Sequence, residues 1–303
     1  MGTIRLIHGT LERTLPHHFL VGRSDACDLR LGNPYVSSQH AVVHWNGKVW
    51  MVRDLASRNG TYLDGQRLDP GLDHRLQVED RLSFGDRDEP WTISDDDEPV
   101  LMAVHASSSQ ARVGRESILA LPDEAGLEVS IYLDQDGRWK MEGAEERGPH
   151  PVVDRQRVVT SKGAWIIHLP GLSEHTPVAR SQLSFDTVGF RFAVRKQDER
   201  VRMTLLTPYV EQELAEREHS RLLLALALAR RADAALPHHR RGWRDRDELE
   251  ELLDTDANAL NVAVHRARQQ VAAAGVRGAA RLVEVRRRQR RLGTDRFQIV
   301  DWT

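Results

Sequence analysis

Three short polar strings near the amino-terminal end carry the side chains best suited to chemistry. They are Gly22-Arg23-Ser24, Ser37-Ser38-Gln39-His40 and Ser57-Arg58-Asn59-Gly60-Thr61, and each lies beside a short apolar stretch. Strand ends hold such side chains in place while the turns expose them. Because guanidinium forks match phosphate oxygens, two arginines with hydroxyls and an amide predict a pocket for a doubly charged oxyanion. We expect its ligand to be a phosphorylated side chain.

The elements around these strings are predicted to be short strands. Apolar runs such as Ile4–Ile7 and Phe19–Val21 are broken by Gly, Pro, Asn and Asp about every eight to twelve residues, which predicts an all-β sandwich over residues 1–94. An acidic run and a serine triplet then predict a poorly packed linker over residues 95–113. Residues 114–182 return to strand-like patterns and form a β-rich middle segment of unassigned role.

The polar strings together resemble the signature of the forkhead-associated (FHA) domain. The matching positions are Gly22-Arg23, Ser37-x-x-His40-Ala41 and Asp54-Leu55-x-Ser57-x-Asn59-Gly60-Thr61-x-x-x-Gly65. The resemblance implies a β-sandwich whose loops bind phosphothreonine peptides, with arginine and serine on the phosphate and asparagine on the peptide backbone. The implied phosphopeptide-binding residues are Arg23, Ser37, Ser38, Arg58 and Asn59. The residues implied to shape the loops are Gly22, His40 and Gly60.

Other interpretations of the same residues are open to the sequence. Arg23 and Arg58 could be surface ion-pair residues, with the serines and the asparagine only shaping turns. Ser37 and His40 invite a hydrolase interpretation, but the sequence places no acid to complete a triad. We therefore predict no enzymatic role. The histidine pairs lack the spaced Cys and His partners of a zinc site, so neither a metal nor a cofactor is predicted.

Residues 183–303 change from strand patterns to helical ones and back. Strict alternation predicts a β-hairpin over residues 183–206, and an Asp245–Glu248 capping box predicts a helix start. The complete set of predicted C-terminal elements is the hairpin, helices over Glu216–Ala235, after Asp245 and over Ala257–Ala274, and a basic hairpin joining Leu282–Val285 to Phe297–Val300 through an arginine-rich turn. The fold class is thus multidomain and mainly β, with an α+β C-terminal part.

The third predicted helix has a polar face that could read nucleic acid. Leu260, Val264, Ala267 and Val271 recur at helical spacing and predict the core stripe. Arginine and glutamine can bond base edges in pairs, and a short apolar side chain can meet a thymine methyl. The face opposite the stripe carries Asn261, Val262, His265, Arg266, Arg268 and Gln269.

The run from Asn261 to Val271, followed by Leu282-Val283-Glu284-Val285-Arg286, resembles the winged-helix effector domain of OmpR/PhoB-type response regulators. The resemblance spans about residues 183–303 and implies DNA contacts from the polar face of the third helix. Arg287, Arg288 and Arg290 fall in the implied wing. A winged helix that no longer binds DNA is the alternative.

Composition narrows the classes of protein. The chain has 303 residues, 40% apolar and 29% charged, with a formal net charge of -2 and one cysteine, Cys27. One cysteine cannot form an internal disulfide, and the start resembles no secretion signal, so a cytoplasmic location is expected. The longest apolar run, Leu222–Ala229, is short of the roughly 20 residues that span a bilayer, so no membrane role is predicted.

The sequence therefore predicts a phosphothreonine-dependent transcriptional regulator of a Ser/Thr kinase pathway. Its expected partners are a phosphothreonine-containing protein and double-stranded DNA. The alternative is a phospho-dependent scaffold whose winged helix binds protein. The leucine run from Leu222 is interpreted as helix core, with a homodimer seam as the alternative.

Overall fold

Short strands dominate the structure, a computed structural model that describes residues 1–134, 136–143, 148–171, 183–195, 197, 200–207 and 210–302. The chain divides into two units. The first is Met1–Val104 with Ile167–Val178, and the second is His105–Ile166 with Ala179–Thr303. The fold class is confirmed as mainly β, with three α-helices near the C-terminal end of the described residues.

The first unit is a sandwich of two sheets, as predicted. One sheet has the strand order β2-β1-β11-β10-β7-β8 and the other has the order β4-β3-β5-β6-β9. The strands are β1 (Thr3–Leu6), β2 (Glu12–Thr14), β3 (His18–Gly22), β4 (Leu29–Arg30), β5 (Ala41–Trp45), β6 (Trp50–Asp54), β7 (Thr61–Leu63), β8 (Gln66–Arg67), β9 (Asp73–Arg75), β10 (Arg81–Phe84) and β11 (Trp91–Asp95).

The sandwich core explains why these short runs become strands. Alternate residues of β6 are buried, so Trp50, Val52 and Asp54 face inward while Met51 and Arg53 lie on the other face. The buried cluster also takes in Ile4, Phe19 and Trp91 from both sheets. Loops at one end of this rigid core carry all three polar strings.

The linker predicted over residues 95–113 is wrong for the part from Met102 onward. That part contains β12 (Met102–His105) and β13 (Ala111–Val113). Leu101, Met102 and Ala103 are almost fully buried. The prediction weighed the acidic and serine-rich stretches, which hydrate well, and overlooked the four apolar residues Val100–Ala103 between them.

The second unit begins with a β-rich part. A four-stranded sheet in the order β14-β15-β16-β17, which we call the middle sheet, places Ile131 opposite both Leu119 and Met141. Its strands, with the hairpin that follows, are β14 (Ile118–Leu121), β15 (Val129–Leu133), β16 (Trp139–Gly143), β17 (His150–Pro151), β18 (Arg157–Thr160) and β19 (Gly163–His168).

The predicted C-terminal hairpin and three helices are present. A sheet in the order β22-β21-β20-β26 packs with the helices around one buried cluster that includes Phe190, Leu226 and Leu260. Leu222, Leu223 and Leu226 belong to this core and Leu224 packs against it, whereas Leu228 is exposed. The elements are β20 (Gly189–Arg195), β21 (Arg200–Leu206), β22 (Glu211–Glu213), α1 (His219–Ala232), β23 (Arg244–Asp245), α2 (Arg246–Leu253), α3 (Ala257–Ala273), β24 (Val283–Arg286), β25 (Gln289–Leu292) and β26 (Phe297–Asp301), with 3₁₀ turns at His238–Arg240 and Ala279–Leu282.

Side-chain caps start two of the helices. The predicted capping box opens α2, where the backbone N–H of Asp245 donates to Glu248 at 3.1 Å. Asp256 caps α3 by accepting from the Ala259 N–H at 2.7 Å.

Of the turn predicted between Arg195 and Arg200, residues 196, 198 and 199 lie outside the described residues, as does the predicted domain boundary at 182.

The basic hairpin is real, but its predicted pairing is wrong. β24 pairs with β25, which is the arginine-rich run itself, with Val285 opposite Arg290. β26 instead runs parallel to β20 and places Ile299 opposite Phe192. The fully polar run predicts a turn, yet Arg290 and Arg291 within it are buried in β25.

No helix among the described residues is both long enough and apolar enough to cross a bilayer.

Candidate functional site

Ser37 joins the three polar strings on one rim of the sandwich. Its carbonyl oxygen accepts from the Arg23 N–H at 2.9 Å, and its hydroxyl oxygen accepts from the Arg58 N–H at 3.1 Å. The loop after β3 and the loop after β6 are therefore both bonded to the same residue. The serine hydroxyl keeps its own hydrogen available for an anion between the two arginines.

Both arginine side chains on this rim are exposed and unpaired. No described residue forms an ion pair or a side-chain hydrogen bond with the guanidinium of Arg23 or Arg58. This differs from Arg30, which lies 2.6 Å from the Asp25 carboxylate. The alternative in which both are surface ion-pair residues has no support in the described structure. The rim presents two free guanidinium groups to solvent.

The Ser38 side chain is also exposed at this rim, while its backbone is fixed. Its carbonyl accepts from the Ser24 N–H at 3.0 Å and lies 3.2 Å from the Cys27 sulfur. Asn59 donates through its side-chain amide to the Tyr35 carbonyl at 2.8 Å. Its amide oxygen is an acceptor, the group that a peptide N–H would need.

A buried carboxylate organises the loop that carries Arg58. Asp54 is fully buried at the end of β6 and accepts from the N–H and the hydroxyl of Ser57 at 2.9 and 2.6 Å, and from the Thr61 hydroxyl at 2.6 Å. Burial raises the pKa of this carboxyl, but these donors outweigh it and hold the pKa below its ordinary value. Asp54 and Thr61 belong to the motif matched in the sequence, but no role was predicted for either.

His40 braces the rim from inside. Its Nδ1 accepts from the Ser37 N–H at 3.0 Å and its Nε2 donates to the Gly60 carbonyl at 3.1 Å, which requires the neutral ring. Burial lowers its pKa, in agreement with that state. Because Nδ1 bonds the serine backbone and not the serine hydroxyl, the pair lacks the nucleophile–base contact of a hydrolase.

Two glycines are required by close approach and backbone conformation. A Cβ at Gly22 would lie 2.4 Å from the Ser38 carbonyl oxygen, so a side chain there would push the two loops apart. Gly60 has φ +86°, a left-handed conformation that favours glycine, and its N–H donates to the Ser57 hydroxyl at 3.0 Å. These contacts agree with the loop-shaping roles expected of Gly22, His40 and Gly60.

Comparison with known proteins identifies this part of the chain. Residues 19–85 match the family model of the FHA domain, so the first unit contains an FHA domain, and the match supports a phosphothreonine-dependent protein interaction. "Mediator of DNA damage checkpoint protein 1" from Mus musculus is 38% identical over 96 residues, 28% of this chain and 6% of that protein. "FHA domain-containing protein FhaB" from Mycobacterium tuberculosis (strain CDC 1551 / Oshkosh) is 49% identical over 45 residues, 15% of this chain and 29% of that protein.

A solved structure described as "Structural and functional analysis of phosphothreonine-dependent FHA domain interactions" is similar to 31% of this chain and 95% of that chain, at 23% identity and a TM-score of 0.28. The chain covers 6% and 29% of the length of the two curated relatives named above, which is well under two thirds of either. The similarity that these comparisons report covers the FHA domain.

The residues predicted to contact DNA lie on α3, but most of that face is not exposed. Arg266 is exposed, whereas His265 and Arg268 are each 1% exposed. Val262 is also buried, and Asn261 and Gln269 are half-buried. The prediction of a solvent-facing surface is therefore wrong for Val262, His265 and Arg268, because the middle sheet packs on them.

The three arginines predicted in the wing have different surroundings. Arg287 lies exposed at the turn between β24 and β25 with φ +54°. Arg288 forms an ion pair with Asp247 at the start of α2. Arg290 is 4% exposed and donates to Asn261 at 2.9 Å. Of the three, Arg287 is the side chain most available to a ligand, and the other two are held by the fold.

Proposed function

We propose that this chain is a phosphothreonine-dependent regulator of transcription. Its FHA domain docks a phosphorylated protein from a Ser/Thr kinase pathway, and residues 183–303 form a winged helix that binds double-stranded DNA. The proposed role involves no catalysis and no cofactor. The proposed setting is the cytoplasm, since the single cysteine can form no internal disulfide.

The observation that carries the docking role is that Arg23 and Arg58 both bond Ser37 through their backbone N–H groups while their guanidinium groups are free. Phosphothreonine carries about -1.5 to -2 charges near neutral pH and three strong acceptor oxygens. Arg23, Arg58 and the Ser37 hydroxyl supply donors of matching number and charge. Asn59, tied to Tyr35, offers its amide oxygen to the backbone of the docked peptide.

The order of elements supports the DNA-binding role. A sheet, three helices and a basic hairpin follow one another over residues 189–301, and α3 follows α2 after a short turn. This order agrees with the resemblance drawn from the sequence around Asn261. The rival function, a scaffold whose winged helix binds protein, is favoured by one observation, the burial of His265 and Arg268 against the middle sheet.

The docking role is tested by single arginine substitutions in the full chain. Arg23→Ala and Arg58→Ala should each weaken binding of a phosphothreonine peptide by roughly ten-fold or more, because hydrogen bonds to charged groups contribute about 1.5 to 3 kcal/mol. The measurement is calorimetric titration with the phosphorylated and unphosphorylated forms of one peptide. The matched control is Arg5→Ala, an exposed arginine on β1.

The control should bind like the unchanged protein. Equal affinity of Arg23→Ala and Arg5→Ala for the phosphorylated peptide would overturn the pocket. So would equal affinity of the unchanged protein for both forms of the peptide.

A further inference from the structure

The face of α3 that the proposed function directs toward DNA is covered by another part of the same unit. We call the covering residues the cover. They come from β14, the loop before β15, β15 and β16: Ala120, Leu127, Ser130, Tyr132 and Glu142. All five are buried.

The centre of the covered face is apolar. Val262 forms a buried cluster with Ala120 and Leu127. Val262 and Gln269 lie nearly opposite the core stripe of α3, and Gln269 lies 3.5 Å from Glu124 in the same middle segment. Removing this apolar surface from water favours the covered arrangement.

An ion pair lies beside the apolar contact. The Arg268 guanidinium lies 3.3 Å from Glu142 and 4.5 Å from the centre of the Tyr132 ring, and the tyrosine hydroxyl donates to the same carboxylate at 3.2 Å. On the same face His265 lies 3.2 Å from the Ser130 hydroxyl. The cover thus supplies a carboxylate to the guanidinium of Arg268, which also donates through Nη2 to the Val283 carbonyl of β24 at 2.6 Å.

The covered face is incompletely hydrogen-bonded. Among the described residues, Nε2 of His265, Nε of Arg268, and Nε and Nη1 of Arg290 are buried without a partner. A buried donor left unpaired costs free energy that it would not cost in water or against a phosphate. The covered arrangement is therefore less stable than a fully paired interface of the same size. A contact of this kind is suited to opening.

We infer that the cover holds the protein in a closed form in which α3 cannot enter DNA, and that displacement of the middle sheet frees this face for the duplex. This inference rests on the proposed DNA-binding function. An α-helix fills the major groove, so its contact face cannot serve the groove and the cover at once. Because apparent affinity falls with the fraction of molecules in the competent form, opening the cover raises DNA affinity.

The test uses the full chain and two substitutions in the cover that leave α3 unchanged. Glu142→Gln removes the charge that faces Arg268, and Leu127→Asp places a charge in the apolar cluster. The controls are Asp136→Asn, whose carboxylate pairs with Arg138 in the β15–β16 turn, and Val153→Asp, at an exposed valine of the same segment. The probe is a short fluorescein-labelled duplex of mixed sequence at low salt.

We expect each cover variant to bind the duplex about ten-fold tighter or more than the unchanged protein, since breaking one side of a buried pair is strongly destabilising. The controls should bind like the unchanged protein. Hydrogen exchange of the α3 amides provides the second measurement. It should become faster in Glu142→Gln and Leu127→Asp only.

The outcomes separate this inference from the proposed function. If exchange shows that α3 is freed while all forms bind DNA with equal, measurable affinity, the inference is overturned and DNA binding stands. If α3 is freed and no form binds the duplex, the DNA-binding function fails and the inference with it. Unchanged exchange in both cover variants, with the chain still folded by circular dichroism, would show that the contact does not open.

Discussion

Asp54 is a buried residue that supports the rim proposed to bind phosphate. Its carboxylate fixes Ser57 and Thr61 on either side of Arg58 and Asn59. The rim residues can then be exposed and still be rigid. A site built in this way loses little conformational freedom when a peptide binds.

Replacing this carboxylate should weaken the fold. Asp54→Asn keeps the shape but turns one acceptor into a donor that faces hydroxyl groups, so we expect a loss of about 2 kcal/mol or more in the free energy of unfolding. The measurement is urea unfolding followed by circular dichroism, with the exposed Asp69→Asn as control. Because the donors hold the pKa of Asp54 below its ordinary value, its contribution is complete above about pH 4 and is lost as the pH falls through the lowered pKa.

The free energy of unfolding of Asp54→Asn should accordingly depend less on pH below about pH 4 than that of the unchanged protein. Equal midpoints and equal acid dependence for Asp54→Asn and Asp69→Asn would contradict this role.

Sequence reasoning reached this site because the motif residues act locally. Spacing placed Arg23, Ser37, Arg58 and Asn59 on loops, and the FHA resemblance implied their roles. It could not predict that Ser37 bonds both arginine backbones, because that contact depends on the exact approach of two loops. The Asp54–Ser57 spacing of three residues was the available signal for the loop support, since such pairs form side-chain turns.

At the scale of elements, α3 shows what a single sequence does not contain. Helical spacing separated the core stripe from the opposite face correctly, and Leu260, Val264, Ala267 and Val271 are buried as expected. Periodicity does not say whether a second surface covers the other face. Glu142 and Leu127 of the middle segment contact this face of α3, but nothing in the sequence pattern around them indicates that contact.

The contact between α3 and the middle sheet should depend on pH through His265. Burial and the positive charges of Arg268 and Arg266 lower its pKa to about 4, whereas Glu124 opposes the shift. Glu142 and Ser130 face it from the middle sheet. A lowered pKa means that the covered form is favoured in full above about pH 6.5 and loses up to about 3 kcal/mol as the pH falls toward 4.

This dependence can be measured by titrating the His265 ring in nuclear magnetic resonance spectra, with the signal assigned by its loss in His265→Gln. We expect a midpoint near pH 4 in the unchanged protein and a value closer to 6.5 in Leu127→Asp, where the cover is opened. A midpoint near 6.5 in both proteins would contradict the burial of this side chain.

The arginine-rich hairpin of β24 and β25 is a second element whose structure the sequence pattern did not predict correctly. A run of polar residues predicts a turn when composition alone is considered, but in β25 the consecutive residues Arg290, Arg291 and Leu292 are all buried. Trp243 lies under the guanidinium groups of Arg286 and Arg291, at 4.5 and 4.6 Å from their central carbons. Stacking on an aromatic ring allows arginine to occupy a strand in which its stem is buried.

At the scale of the whole molecule, DNA binding and protein binding by residues 183–303 can be distinguished by how the affinity depends on salt concentration. If DNA is the partner, the affinity of the Glu142→Gln protein for the duplex should fall linearly with salt on logarithmic axes, with a slope of about -0.9 for each phosphate contacted. Arg287→Ala should reduce that slope by about one contact, since its side chain is exposed at the turn.

Arg5→Ala, in the FHA domain, is the control and should leave the slope unchanged. A flat response of Glu142→Gln to salt would favour the scaffold.

If DNA and the cover use the same side chains of α3, as proposed, this has a consequence for how the sequence of such a protein can change. A substitution at position 265 or 268 that alters base preference also alters the fit to Ser130 or Glu142. The preference for a DNA sequence and the ease with which the cover opens would therefore change together. A lineage that acquires a new operator is expected to retune the opposing strands at the same time, or else to become permanently active.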